Sequence, residues 1–589
     1  MCGADRLSDL SEGLLQSIVS FLPAREAARA SALSRQWRPI CLRTDSLNLD
    51  SRSCRKPGKD DSWHGRDGIQ MNRRLFSDAS KFLGAAGRCG RRIKKLSITV
   101  EGREDRQRQY LEDVMGNSRW GPSRARDSHD LMASLLAAPP LGHVEELRVR
   151  FEVMKNMGSD DKLSGWIYKL HPAVLPGHAL RVLDLVFCRL ESSPEDGGGN
   201  LSFPCLSELR LYRCSSSTQD LEGLVRAAPS LFSMHIQDHN FYCSRDTRSD
   251  RFAIHSASLT NLTLVDNSGN TRLESIELDT PCLRTFKYNI FRPTELSMKS
   301  QATKLARADL TLQWTYGENG GELVLPRFAQ DIWKFFGHFQ HAKAIKLKVP
   351  NIRCIAVDEG AQHEHLVMLP ALERLEIEGL ADPGRRDDPD REDDAATAIA
   401  NLLHCCPVIR DLRIRILRDP YQTSYAGKSS AVSSSSHFDV SMDLFRRRFS
   451  KEMVLLMLDR DDGDSSRVAE LPGLTGCRFG CLENHLKKLT LQFDLEDLNS
   501  FEVRLAMFFA KNCMVLDVLQ VEDGKQNFLS HVNWMVQRWR ADAVDQRKHI
   551  GRGSTDSSGQ SRKRKGDYGV EHKVEIKRNY RKQMFASYT

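Results

Sequence analysis

Cysteine and histidine side chains cluster ahead of one of the last apolar strand patterns in this sequence, and they are its best candidates for chemistry. Cys477, Cys481 and His485 follow one another at intervals of four residues. Such side chains bind zinc, but a structural zinc site needs four ligands and this run supplies three. We therefore expect a turn leading into a strand at Leu489, and no metal site.

The other cysteine motifs are also expected to be structural. The run His404–Cys406 precedes Pro407, which is typical of a helix end. Cys188 and Cys214 each follow a strand pattern, where a side chain can hydrogen-bond to the neighbouring backbone. The sequence contains no G-x-S-x-G, Walker, strand-associated G-x-G-x-x-G or H-E-x-x-H motif. We therefore expect a protein that is not an enzyme and uses no cofactor.

Cysteine usage bears on the compartment. The 15 cysteines are odd in number and irregularly spaced. The first nine residues are polar, so we expect no signal peptide, and the cysteines are then reduced thiols. We expect no glycosylation at the sequons of Asn200 and Asn261, because N-glycosylation requires the secretory pathway. The expected localisation is the nucleus, the cytoplasm or both.

Positive charge is concentrated at the C-terminus. The 589 residues carry a net charge of +8. Residues 541–589 contain 12 Lys and Arg against 6 Asp and Glu, so this tail holds +6 and the rest only +2. The body is therefore not a nucleic-acid binder by bulk charge, and no apolar run is long enough for a membrane span. The run Arg562–Lys563–Arg564–Lys565 is a nuclear-import signal or part of a solvated tail. A nucleic-acid-binding arm is a weaker third alternative, because no aromatic residues alternate with these cations.

A short apolar phrase repeats through most of the chain. The form L-x-x-L-x-L recurs from about Leu96 onward, and it is typical of leucine-rich repeats. The central residues lie at 147, 183, 209, 234, 262, 276, 286, 310, 345, 375, 412, 489 and 519. Most steps are between 24 and 37 residues, as strand-plus-helix repeats require. The shorter steps around Ile276 predict strands joined by tight turns.

The N-terminal block predicts three short helices. Leu14, Ile18 and Phe21 recur at helical spacing. Ser11 and Glu12 suit a helix start, with the Ser11 hydroxyl as a cap, and Pro23 ends the helix. Helices this short are stable only when they pack on each other or on a partner.

These patterns divide the chain into segments. The predicted fold class is α/β, with an N-terminal three-helix domain followed by an irregular leucine-rich-repeat solenoid. The predicted boundaries are 1–48 for the helical domain, 49–92 for a linker with at most one helix near Leu75–Leu83, 93–530 for the repeat region with loops at 381–397 and 418–470, and 541–589 for a basic disordered tail.

Residues 5–45 closely resemble an F-box of the type found in plant F-box/leucine-rich-repeat proteins. The matching elements include Asp5–Ser8, Leu14–Leu15, Ser20–Pro23 and Leu33–Arg38. The later phrases are similar to that family's repeats, and residues 482–530 resemble its FBD-like C-terminal element. One departure stands out, because the family usually has Leu-Pro where this sequence has Leu10-Ser11.

The resemblance implies an adaptor of a Skp–cullin–F-box ubiquitin ligase. Its F-box would dock on a Skp-type subunit bound to cullin, and its repeats would bind an unidentified protein target. The residues that the resemblance places against the Skp subunit are Leu10, Leu14, Leu15, Ile18, Leu22 and Leu33, with Trp37 anchoring the third helix. The alternatives are a ligase-independent scaffold or sequestering protein with a degenerate F-box, and a co-receptor that uses a small ligand.

The target is expected on the strand face of the repeats, because strand side chains alternate and the residues between the leucines face outward. The phrases at Leu375 and Leu412 would bring Glu376 and Glu378 beside Arg413 and Arg415. Mixed charges of this kind suit a protein better than nucleic acid. The competing interpretation is that these charges satisfy only one another.

Overall fold

The architecture is that of a computed structural model of the whole chain. The structure describes residues 10–54 except 34 and 36, 65–102, 131–153, 168–192, 201–242, 251–267, 273–290, 295–312 except 301, 325–380, 390–417, 471–493 except 472 and 500–523, together with residues 537, 540, 541, 544 and 545.

The described residues form both helices and parallel strands, so the predicted α/β class is confirmed. The helices are α1 Glu12–Phe21, α2 Ala24–Leu33, α3 Trp37–Arg43, α4 Gly65–Arg88, α5 Leu131–Leu136, α6 Thr218–Arg226, α7 Leu325–Phe336, α8 Gln362–His365, α9 Asp390–Cys405, α10 Gly480–Asn484 and α11 Ser500–Asn512.

The strands are short, and each predicted strand centre lies within one of them. They are β1 Ser46–Asp50, β2 Lys95–Gly102, β3 Glu146–Val153, β4 Tyr168–Leu170, β5 Val182–Val186, β6 Cys188–Leu190, β7 Glu208–Tyr212, β8 Ser215–Ser216, β9 Ser233–Gln237, β10 Asn240–Phe241, β11 Arg251–His255, β12 Asn261–Asp266, β13 Ser275–Asp279, β14 Thr285–Ile290, β15 Glu295–Met298, β16 Arg307–Leu312, β17 Ala344–Asn351, β18 Arg374–Leu380, β19 Asp411–Leu417, β20 Lys488–Phe493 and β21 Val518–Asp523.

One 14-stranded parallel sheet organises the described residues. Its order is β1-β2-β3-β5-β7-β9-β12-β14-β16-β17-β18-β19-β20-β21, so its strands lie side by side in chain order. Leu147, Leu183 and Leu209 are in register on adjacent strands and are fully buried. Because strand side chains alternate, the residues between these leucines lie on the opposite, outward face of the sheet.

Two smaller parallel sheets lie outside this order. One is β10-β8-β6-β4 and the other is β11-β13-β15. Ile276 belongs to β13 in the second of these, whereas β12 pairs directly with β14 in the large sheet. The expected strand at Ile276 is present and a short turn joins it to β14, but it pairs in a separate sheet. The two short steps on either side of Ile276 together make one ordinary repeat.

The described residues of the predicted linker 49–92 are folded with the repeats. β1 crosses the predicted boundary and pairs with β2, with Leu47 opposite Leu96. The 24-residue helix α4 contains the helix expected near Leu75–Leu83, and Leu75, Phe76 and Leu83 are buried in the same core as the repeats. The helix is longer than expected because a surface helix needs only one apolar stripe, and the rest of its surface is polar.

The predicted loops and the predicted tail lie only partly within the described residues, and the described parts are helical. Residues 390–397 of the predicted loop 381–397 belong to α9, where Ala395 and Ala396 are buried. Residues 381–389 and 418–470 lie outside the described residues. In the predicted tail, Ala541, Val544 and Asp545 are helical, and the rest of it is outside the described residues.

Candidate protein-binding surfaces

The N-terminal helices have a small core of their own. Leu15, Val19 and Ile40 are buried against one another, from α1 and α3. Leu10 and Trp37, both predicted to contact a partner, are partly buried and pack on this cluster. Leu15 therefore belongs to the hydrophobic core of the N-terminal helices in this structure.

An apolar stripe lies on the outer side of α1. Leu14 is 55% exposed and Phe21 is 81% exposed. Ile18 lies between them on the same face and is partly buried. Of the other residues predicted to face a partner, Leu22 is also partly buried, and the side chain of Leu33 is outside the described part. Phe21 was absent from the predicted contact set, although its seven-residue spacing from Leu14 signals a shared face.

The start of α1 differs from the expectation. Ser11 occupies the N-cap position, but its side chain makes no capping hydrogen bond. Its φ of −61° is the value to which a proline ring fixes the backbone. A proline at position 11, where the family usually carries one, would therefore fit the observed backbone conformation.

The N-terminal block is joined to the first repeat by polar contacts. Asn48 on β1 donates its side-chain amide to the Ser20 carbonyl at 2.6 Å and to the Leu22 carbonyl at 3.3 Å. These carbonyls lie at the C-terminal end of α1, where helix acceptors lack internal partners. Arg91, just after α4, donates to the carbonyls of Cys41 and Thr44. Burial lowers the pKa of Arg91, with the nearby Asp45 charge opposing this effect.

The charged strand face at β17–β19 has the predicted register. Glu376 lies opposite Arg413, and Glu378 lies opposite Arg415. The observed ion pairs also include β17, because Lys346 Nζ is 2.8 Å from Glu376 and Lys348 Nζ is 2.9 Å from Glu378.

The two arginines are held by different partners. Arg415 Nη1 lies 2.7 Å from Glu378 and 3.7 Å from Glu376, and its Nε donates to Gln492 at 2.8 Å. Arg413 Nη2 reaches past β20 to Glu522, at 2.8 Å. The geometry thus favours the interpretation that these charges satisfy one another, and their role in target binding stays a prediction.

The electrostatics of Glu378 follow from this network. The residue is only 7% exposed, and burial raises the pKa of its carboxyl. The hydrogen bond from Lys348 and the charges of Lys348, Arg415 and Lys346 outweigh this effect, so the pKa lies below its ordinary value.

The cysteines make backbone contacts. Cys214 Sγ donates to the Leu185 carbonyl at 3.3 Å, and Cys481 Sγ donates to the Leu403 carbonyl at 3.4 Å. Burial raises the pKa of Cys481 to about 11 and that of Cys405 to about 12, so both remain thiols near pH 7. Within the described segments, no three His, Cys, Asp or Glu side chains are arranged to hold a metal ion. No helix in this part of the chain is long and apolar enough to cross a membrane.

Comparison with protein families agrees with this organisation. Residues 7–48 match the F-box domain, and residues 132–307 match the model described as FBD-associated F-box protein At5g56370, LRR repeats. The chain carries an F-box and FBD-associated leucine-rich repeats. The F-box match covers α1–α3, and the repeat match runs from α5 to the start of β16. The predicted FBD-like region 482–530 lies beyond both matches and stays a prediction.

Several Arabidopsis thaliana proteins are similar to this F-box chain. Putative F-box/LRR-repeat protein At5g54820 is 38% identical over 79 residues, covering 13% of this chain and 16% of that protein. Putative F-box protein At3g58960 is 25% identical over 295 residues, covering 48% and 50% of the two chains. F-box protein At3g59000 is 26% identical over 287 residues, covering 48% of each. The matched parts thus span half or less of each relative's length.

Proposed function

We propose that the chain is a non-catalytic substrate adaptor of a Skp–cullin–F-box ubiquitin ligase. The F-box helices α1–α3 dock on a Skp-type subunit, and the repeats, arranged as a solenoid, bind a target protein on their strand face. No cofactor takes part, and neither nucleic acid nor a membrane is a partner. The apolar stripe formed by exposed Leu14 and Phe21 and partly buried Ile18 carries this proposal, because apolar residues at helical spacing on an outer face suit a partner's groove.

The docking test uses Leu14→Asp combined with Phe21→Asp. Burial of a Leu or Phe side chain contributes about 1.5–3 kcal/mol, so losing both should weaken adaptor binding by at least a hundredfold. The measurement is the dissociation constant of the full chain for a recombinant Skp-type subunit. Because both side chains face outward, circular dichroism should show an unchanged fold.

The control for this experiment is Phe232→Asp, which changes an exposed aromatic residue that lies outside the F-box match. It should leave adaptor binding unchanged. A wild-type chain that does not bind the adaptor would refute the ligase proposal and favour the ligase-independent scaffold. Equal losses in the control and the double variant would show that the stripe is not the docking site.

Ser11→Pro tests the departure from the family in the opposite direction. The backbone of Ser11 already has proline geometry, and its side chain makes no capping bond that would be lost. A compatible proline stabilises a fold by about 0.4–1 kcal/mol through the unfolded chain. We expect adaptor binding that is two- to fivefold tighter, and weaker binding would show that Ser11 is needed as it stands.

A further inference from the structure

The outward strand face differs along the large sheet. From β18 to β20 it is closed, since Gln492 is 1% exposed, Thr490 is 4% exposed and Glu378 takes part in the network above. From β3 to β14, which is the eighth of the fourteen strands, the face is open, and Arg150 on β3 and Lys287 on β14 are exposed. A partner that binds the strand face therefore has access to the part from β3 to β14.

Three successive repeats end their strands in the same uncommon conformation. Phe187, Arg213 and Asp238 follow β5, β7 and β9 and have φ values of 56°, 50° and 51°. Each donates its N–H to the carbonyl of the next strand of the sheet, at 3.0, 2.8 and 2.7 Å. Among the described residues these are the non-glycine positions with positive φ. Backbone strain of this kind costs about 1–3 kcal/mol per residue and clusters at functional sites.

An arginine and two aromatic rings meet at this strand end. The Arg213 guanidinium lies 5.6 Å from the Phe187 ring centroid and 5.8 Å from the Tyr212 ring centroid. Such stacking fixes a guanidinium while leaving its N–H donors available. Tyrosine and arginine are also the residues that most often dominate the energy of protein interfaces.

The cations of this region are available to a ligand. Across the described segments, Arg150, Arg213 and Lys287 have no carboxylate within ion-pairing distance, whereas Arg210 is 2.6 Å from Glu208. Burial lowers the pKa of His235 on the neighbouring strand, and the charges of Lys287 and Arg210 lower it further. His235 is therefore neutral near pH 7, and the local excess of positive charge resides on the arginines and Lys287.

We propose that the arginine–tyrosine patch, formed by Arg150, Tyr212, Arg213, His235 and Lys287, binds an extended acidic segment of the target protein. Five strand spacings separate β3 from β14 in the sheet order, which is about 24 Å, the length of about seven extended residues. Carboxylates of the segment would pair with the cations, and its apolar residues would pack on Tyr212 and Phe187.

Charge within the patch favours a polypeptide over a phosphate backbone. Asp184 lies in register between Arg148 and Arg210 on the same face. A regularly spaced row of phosphates would be repelled at that strand, whereas a peptide can place a neutral residue there. This inference rests on the proposed adaptor function and specifies the chemistry of its target.

The test selects binders from a displayed library of random seven-residue peptides on the immobilised full chain. We expect enrichment of Asp and Glu interspersed with aromatic or aliphatic residues. A selected peptide should bind Arg213→Glu combined with Lys287→Glu at least tenfold more weakly. Arg213→Lys, which keeps the charge but not the planar stack, should lose part of this affinity.

The matched control is Arg284→Glu combined with Arg374→Glu, which reverses the same number of charges at exposed positions where strands begin. It should bind the selected peptide normally. The proposal would be overturned if the selected peptides were not enriched in Asp and Glu, or if both double variants weakened peptide binding equally. It would also be overturned if oligodeoxythymidine displaced the bound peptide at a lower concentration than the free peptide itself does. Binding to the Skp-type subunit is measured separately on the same variants, so failure of this inference is distinguishable from failure of the adaptor function.

Discussion

Adjacent residues in α1 have opposite roles because a helix turns by about 100° per residue. Leu15 is buried in the F-box core, whereas Leu14 is exposed on its outer side. The sequence assigned both to the same partner surface. Only the packing of α3 through Ile40 shows which leucine faces inward and which is free to bind.

Glu378 is a buried carboxylate on the strand face and pairs with Lys348 and Arg415. Its folded pKa lies below its ordinary value, so its contribution to stability is present above about pH 4.5 and is lost as pH falls through the folded pKa. Glu378→Gln should lower the free energy of opening β17–β19 by about 1.5–3 kcal/mol at pH 7, the typical loss for a hydrogen bond to a charged group.

This effect is measured by hydrogen exchange of the β17–β19 amides at pH 7 and again near pH 3.5. The difference between wild type and Glu378→Gln should be smaller at the lower pH, since protonation of the wild-type carboxyl removes its charge as the pH falls through its folded pKa. Glu364→Gln, at an exposed position of α8, is the control and should change neither value. An equal difference at both pH values would contradict the assignment.

At the scale of elements, the contact between α1 and β1 determines how the F-box helices are oriented on the first repeat. The sequence suggested two units separated by a linker, but Asn48 binds the end of α1 directly and α4 packs into the repeat core. The F-box and the first repeat are therefore in direct contact, and the orientation of the apolar stripe on α1 depends on this contact.

Asn48→Ala should loosen the F-box on the first repeat. The substitution removes the side-chain amide that donates hydrogen bonds to the Ser20 and Leu22 carbonyls. The loss of this donor should lower the stability of the contact between α1 and β1 by about 1–3 kcal/mol. The amides of α1 should exchange faster with solvent, while those of β18 should not change. The control is Asn484→Ala, which removes a side-chain hydrogen bond at the exposed end of α10. Unchanged exchange in α1 would show that the apolar packing alone holds the F-box in place.

At the scale of the whole molecule, we propose that the basic tail directs nuclear import through Arg562–Lys565, a run outside the described residues. A fluorescent fusion of this 66.8 kDa chain in which these four residues are changed to Ala should lose nuclear enrichment. The matched control changes Lys577, Arg578, Arg581 and Lys582 to Ala and should remain nuclear. Equal distributions of both variants and the wild type would leave the tail as a solvated segment.

The repeat phrases were sufficient to predict most strands of the large sheet, because the spacing of L-x-x-L-x-L gives both the period of the repeats and the inward face of each strand. Short strands without such a phrase, such as β4, β6 and β8, were not predicted. The N-terminal helices were also predictable, since apolar spacing and Pro23 mark their limits. The register of Glu376 with Arg413 followed from aligning two adjacent phrases. Each of these features depends on residues close together in the chain.

Other features depended on contacts between distant segments. Arg413 pairs with Glu522, 109 residues away, and Ile276 joins a separate sheet although its phrase resembles the others. The amphipathic helix α4 resembled a linker because most of its surface faces solvent. The open strand face from β3 to β14 and the closed strand face from β18 to β20 could be distinguished only in three dimensions, since exposure depends on neighbours that local sequence does not identify.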